Sequence, residues 1–172
     1  SLNDDLRTVW WPLPTDDDAE SWRLRATAWE HPNVMIGGSD AGAHLDRMAG
    51  APYTTAWLAD CLRGRQLTSM GNAVRHLTDV PARLFGFTDR GRLAEGWHAD
   101  VVIFDPEQVG ATDVELVFDL PGNSKRLWSE ATGISRVIVN GVVSVADGEA
   151  TGAIAGKVMR AGVDTETVTA AG

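Results

Sequence analysis

The chain has little of what would hold or place a protein by covalent or bulk means. There is one cysteine, Cys61, in 172 residues, so no disulfide can form within it, and the usage fits a reducing, cytoplasmic setting. No apolar run approaches the roughly 20 residues of a membrane-spanning helix. Positive charge is outnumbered: 15 Lys and Arg against 24 Asp and Glu leave a net charge of −9. An acidic surface without a basic cluster repels phosphate backbones, which sets nucleic-acid binding aside. Histidine is sparse, with His31, His44, His76 and His98. No signal peptide is visible, but the first residues are Ser-Leu-Asn rather than Met, so that observation carries little weight.

What is present is an ordinary globular composition, 44% hydrophobic and 23% charged, with length for one domain or two small ones. Seven tryptophans are many for this length, and Trp10, Trp11, Trp22 and Trp29 fall in the first thirty residues. That segment expects a large apolar partner. Val9-Trp10-Trp11 before Pro12 and Pro14 reads as a short strand or extended loop ended by the prolines. Thr15 followed by Asp16-Asp17-Asp18 reads as a cap and acids at a helix start. The spacing of Trp22, Ala26 and Trp29 predicts one helical face running to about Glu30, before His31-Pro32.

Val34-Met35-Ile36 then leads through Gly37-Gly38-Ser39 to Asp40. A short apolar run that ends among small residues with one carboxylate reads as a buried strand, 33–37, presenting an acid at its C-terminal mouth. Residues 41–52 read as a loop. Helices are predicted from Tyr53 to about Arg63, from Thr68 or Ser69 to about Leu77, and from Thr78 to before Gly86. After Gly91 the pattern changes. Ala99–Asp105 reads as a strand, residues 114–120 alternate with a period of two, and Arg136–Val145 reads as a hairpin about Asn140-Gly141. Its register would pair Val139 with Val142 and Ile138 with Val143, and Asp147-Gly148 offers a second turn. From Gly162 periodicity is lost and the tail is expected to fray. The chain thus divides into an α/β part, 1–90, a β part, 91–160, and a tail, 161–172. A lone strand among helices does not make a self-sufficient layer, so the first part looks cut from a larger parallel sheet or barrel.

The stretch Gly91-Arg92-Leu93-Ala94-Glu95-Gly96-Trp97-His98-Ala99-Asp100-Val101-Val102-Ile103-Phe104-Asp105 resembles the tail signature of metal-dependent amidohydrolases. Residues 73–86 resemble the helical stretch before that signature, and Ser135–Gly141 its closing hairpin. Gly38-Ser39-Asp40-Ala41-Gly42-Ala43-His44 resembles the end of the eighth barrel strand in the D-aminoacylase (N-acyl-D-amino-acid deacylase) branch. The resemblance spans about residues 4 to 160. It implies an α/β plus β fold: the C-terminal strand-helix segment of a (β/α)8 TIM barrel, followed by a small β-sandwich portion. It implies hydrolysis of non-peptide C–N bonds, with N-acyl-D-amino acids as small-molecule amide substrates. The alternatives are a hydantoinase- or dihydroorotase-like cyclic amidohydrolase and a non-catalytic folding or oligomerisation module.

By this resemblance Asp40 is the strand-eight aspartate, which binds a divalent metal such as zinc, takes the proton of the attacking water, or both. Read from pattern alone, it is an ordinary strand-end or cap residue. Ser39 is a candidate to orient Asp40 or to bind substrate, or merely fixes the loop. His44 is a candidate to line the substrate pocket or touch a metal, or faces solvent. The family's other metal ligands, a His-x-His pair among them, lie upstream of strand eight, and no His-x-His occurs here. The sequence therefore reads as the C-terminal portion of an enzyme, with roughly 300 or more residues absent for typical domain sizes. Alone it is expected to be inactive and without a metal, and to self-associate through the apolar surface and sheet edge left exposed by the strand at 33–37 and the Trp-bearing helix. His76, His98 and Cys61 read as structural, Asp16–Asp18 as a helix start, and Arg47 as a surface ion pair ahead of a contact to a substrate carboxylate.

Overall fold

A computed structural model describes residues 16–168. The strand expected at Val9-Trp10-Trp11 lies outside the described residues. The chain divides between Val34 and Met35 into two units.

The first unit holds α1 (Ala19–Trp29). Its cap is Asp18, read from the sequence as one of the acids following a Thr15 cap: Asp18 Oδ1 accepts the backbone N–H groups of Glu20 and Ser21, each at 3.0 Å. Those are orphan donors of the first turn. The N–H and hydroxyl of Ser21 hold the Asp18 carboxyl below its usual range. Trp22 and Trp29 meet on one face with ring centroids 6.4 Å apart, and the Arg25 guanidinium lies 4.5 Å from the Trp22 ring centre.

The second unit begins without a strand. Residues 34–40 have no ladder partner among the described residues. An extended apolar run becomes a strand only when neighbours take its backbone groups, and every strand of the described chain lies beyond residue 100 and pairs antiparallel. Three helices come first: α2 (Tyr53–Leu62), α3 (Met70–Leu77) and α4 (Asp79–Leu84). Ser69 caps α3 by accepting the Asn72 N–H at 3.2 Å. Eight short strands follow: β1 (Val101–Phe104), β2 (Gly110–Ala111), β3 (Glu115–Leu120), β4 (Ser124–Trp128), β5 (Ala131–Thr132), β6 (Ile134–Val139), β7 (Val142–Ala146) and β8 (Glu149–Ala150). They make a sheet of order β1-β6-β7-β8 and the pairs β2-β5 and β3-β4.

The β6–β7 hairpin turns at Asn140-Gly141 in the expected register, Val139 opposite Val142 and Ile138 opposite Val143. Both turn residues have positive φ, 49° and 80°, the primed-turn requirement. Its tip is fastened: Asn140 N–H donates to Asp100 Oδ1 at 2.8 Å and Gly141 N–H to Ala99 O at 2.9 Å.

One small core joins helices to strands. Leu58, Cys61, Ala73 and Val109 are buried, with Trp57, Leu62, Val74, Leu77, Phe104 and Ile134 packed around them. Arg63 at the end of α2 reaches across it, donating to Pro106 O and, at 2.5 Å, to Val109 O. The tail does not fray at once. Glu166 N–H donates to Gly86 O at 2.9 Å, and Arg160 N–H donates to the Asp164 carboxylate at 2.9 Å. These bonds pin a stretch that carries no periodic pattern of its own.

Candidate active site

Asp40 stands in a tight loop built from small residues. It is exposed and adopts φ 49°, between Gly38 at 83° and Gly42 at 91°. A left-handed backbone at a non-glycine residue is uncommon, and aspartate is one of the types that tolerate it. The turn is braced locally. Ser39 Oγ accepts the Ala41 N–H at 3.1 Å, and Asp40 O accepts the Ala43 N–H at 2.9 Å. His44, exposed and at φ 45°, starts a further turn whose carbonyl accepts the N–H groups of Arg47 and Met48 at 2.8 and 3.0 Å. Leu127 of β4 donates its N–H to Leu45 O at 2.7 Å, which ties the loop to the β3–β4 ribbon. Arg47 pairs with the neighbouring Asp46 at 3.5 Å.

Ser39, Asp40 and His44 thus share one loop. The hydrogen bond of the Ser39 hydroxyl goes to the backbone of the turn. A divalent ion needs several donors held together. Among the described residues no group of three or more His, Cys, Asp or Glu side chains comes together to hold a metal. One carboxylate at a loop tip does not make a metal site, and no chemical step through a metal follows from these residues alone.

The remaining titratable candidates have structural work. His76 is 2% exposed in α3 and meets the Trp57 ring edge-on at 6.4 Å. His98 Nε2 lies 3.3 Å from Asp89 Oδ2, beside Arg90, which bridges Asp89 and Asp100 at 3.1 Å each. Burial, with Asp60 adding repulsion, pushes the Cys61 thiol up to about 11, so it stays a neutral packing group at physiological pH. Asp79 accepts Arg83 and Arg92 at 3.0 and 2.5 Å, fastening α4 to the segment before β1. A groove of about 470 Å³ runs between α2, α3 and β1. It is lined by apolar side chains such as Leu58, Leu77 and Val102 and includes none of Ser39, Asp40 and His44.

Residues 18–145 match the amidohydrolase family, and the chain belongs to that family. The particular relatives narrow the branch. An N-acyl-D-aspartate deacylase of Alcaligenes xylosoxydans xylosoxydans is 38% identical over 127 residues, covering 73% of this chain and 23% of the relative. An N-acyl-D-glutamate deacylase of the same organism is 36% identical over 115 residues, covering 66% and 22%. A D-aminoacylase, also from that organism, is 33% identical over 128 residues, covering 71% and 24%. A solved D-aminoacylase structure aligns at 31% identity and a TM-score of 0.46, over 61% of this chain and 20% of that one. The chain spans about a quarter of the length of the curated relatives it matches. The resemblance read from the sequence is therefore borne out at the level of the family, and the chain is similar to deacylases of that family.

Proposed function

We infer that this chain is the C-terminal portion of a longer hydrolase that cleaves the amide bond of N-acyl-D-amino acids. The observation that carries the reading is the position of Asp40: an exposed carboxylate on a glycine-bounded turn, inside the stretch matched by the family. The deacylase relatives supply the substrate class. In the longer protein Asp40 would be one ligand of a divalent metal such as zinc, with the others contributed from outside these residues. That ion would supply Lewis-acid activation of the amide carbonyl and of water.

The part of this chain is proton handling. The Asp40 carboxylate accepts a proton from the water that attacks the carbonyl carbon. It returns that proton to the amine nitrogen as the C–N bond breaks, leaving a carboxylate and a free D-amino acid. Ser39 holds the turn that presents Asp40, and His44 stands at the far end of the same loop, available to the substrate.

The test is an assay of the full-length protein on matched N-acetyl-D- and N-acetyl-L-amino acids, D-aspartate and D-glutamate included, alongside Asp40→Ala. Release of D-amino acid that the substitution abolishes supports the reading. An Asp40→Ala enzyme of near-normal rate removes Asp40 from the mechanism, and a wild type inert on every N-acyl-D-amino acid removes the substrate class.

A further inference from the structure

The loop that carries Asp40 is closed by a contact that depends on a missing side chain. Gly50 lies against the peptide carbonyl of Ser39: a Cβ at residue 50 would sit 2.1 Å from Ser39 O and 3.2 Å from Ser39 C. Gly38 and Gly42 differ in kind. Their Cβ atoms would meet open space, and it is positive φ that calls for glycine there. Gly50 is needed for room.

Real Cβ atoms keep about 3.0 Å or more from such neighbours, so any side chain at 50 must push the Ser39 carbonyl away by about 1 Å. The obstacle is backbone and cannot swing aside as a flexible side chain would. The displaced group is the peptide between Ser39 and Asp40, so its shift turns the Asp40 backbone and carries the carboxylate with it. The loop has little slack to absorb the change, because its other side is held by the Leu127 N–H on Leu45 O at 2.7 Å.

We propose that Gly50 is a positioning residue for the reaction: its lack of a side chain sets where the Asp40 carboxylate stands. The proposal rests on the reading of Asp40 as the proton acceptor. A reacting group misplaced by about 1 Å loses on the order of 10²-fold in rate.

The experiment uses the full-length protein and Gly50→Ala, with Gly71→Ala as control, since a Cβ at Gly71 in α3 meets nothing within 4 Å. Turnover is read on N-acetyl-D-aspartate and N-acetyl-D-glutamate, and backbone hydrogen exchange on the peptides spanning 36–50. Gly50→Ala is expected to lower kcat on the order of 10²-fold with KM unchanged. It should also speed exchange at Ala41, Ala43, Arg47 and Met48. Gly71→Ala should change neither. A Gly50→Ala enzyme with wild-type kcat overturns the proposal, whatever its exchange. Loss of kcat with wild-type exchange, or an equal loss in Gly71→Ala, also overturns it. If Asp40→Ala is fully active, the functional reading fails alone, and Gly50 is judged by exchange, which needs no substrate. Should Gly50→Ala not fold, a crystal structure of the full-length wild type decides. A Cβ built on Gly50 with no atom within 3.4 Å ends the proposal, and one that overlaps Ser39 O upholds it.

Discussion

The Asp40 loop and the β6–β7 hairpin both turn the chain with left-handed residues, and they are stabilised in opposite ways. The hairpin carries Asn140 and Gly141 at positive φ between strands paired antiparallel, with one register shift between Val137 and Ile138. Its tip is also fastened to Ala99 and Asp100. The loop carries Gly38, Asp40, Gly42 and His44 at positive φ, yet the run that leads into it has no ladder among the described residues. A turn between paired strands is a structural device. A turn that holds an exposed carboxylate in a left-handed conformation, braced by short-range bonds and a link to β4, fits the role proposed for Asp40.

The comparison breaks most visibly at Asp40. Asp40→Ala in the full-length protein should lower turnover by about 10²- to 10⁴-fold, the usual worth of a general acid–base group, with the fold intact because the side chain is exposed. A matching loss of Tm would make the loop a structural turn like the hairpin. Next in size is Gly133, just before β6. It has φ 70°, and a Cβ there would lie 2.3 Å from Val109 N, beside a residue with no exposed surface. Gly133→Ala should destabilise by about 3 kcal/mol through strain and overpacking, read by urea denaturation. A change under about 1 kcal/mol would show that the β part tolerates shifts the loop does not.

Self-association is a milder effect. β1 is an outer strand of its sheet, with Val102 53% and Ile103 48% exposed, the kind of edge that recruits another strand. Sedimentation of residues 1–172 should show concentration-dependent association at micromolar levels, and a clean monomer would deny it. The smallest effect is at α1. The folded-state pKa of Asp18 is depressed below 3.8. Its contribution to the helix is therefore present above that value and is lost as pH falls through the lower, folded pKa. Amide protection in the first turn of α1 should fade only below pH 3.8. Fading at pH 5 would mean that the cap does not hold the helix.

Much of the fold is legible in the residues because its determinants are local. Asp18 and Ser69 cap helices within three residues of themselves. Asn140-Gly141 sets a register by its own backbone preference. The candidate carboxylate is legible for the same reason, a single acid among small residues in a family motif. The strand read at 33–37 fails in the structure because pairing is a property of neighbours, and hydrophobic period cannot say whether a neighbour is present. The pinned tail and the role of Gly50 were illegible as well. Glu166 meets Gly86 and Gly50 meets Ser39 only once the chain has closed on itself.

By itself the sequence determined the family, the helix starts, the hairpin register and the candidacy of Asp40, all of which depend on side chains a few residues apart or on a contiguous motif. Only the tertiary structure decided which glycine is needed for conformation and which for room, and that Leu127 holds the loop. Those outcomes depend on distances between atoms far apart in the chain, and packing, not local preference, fixes such distances.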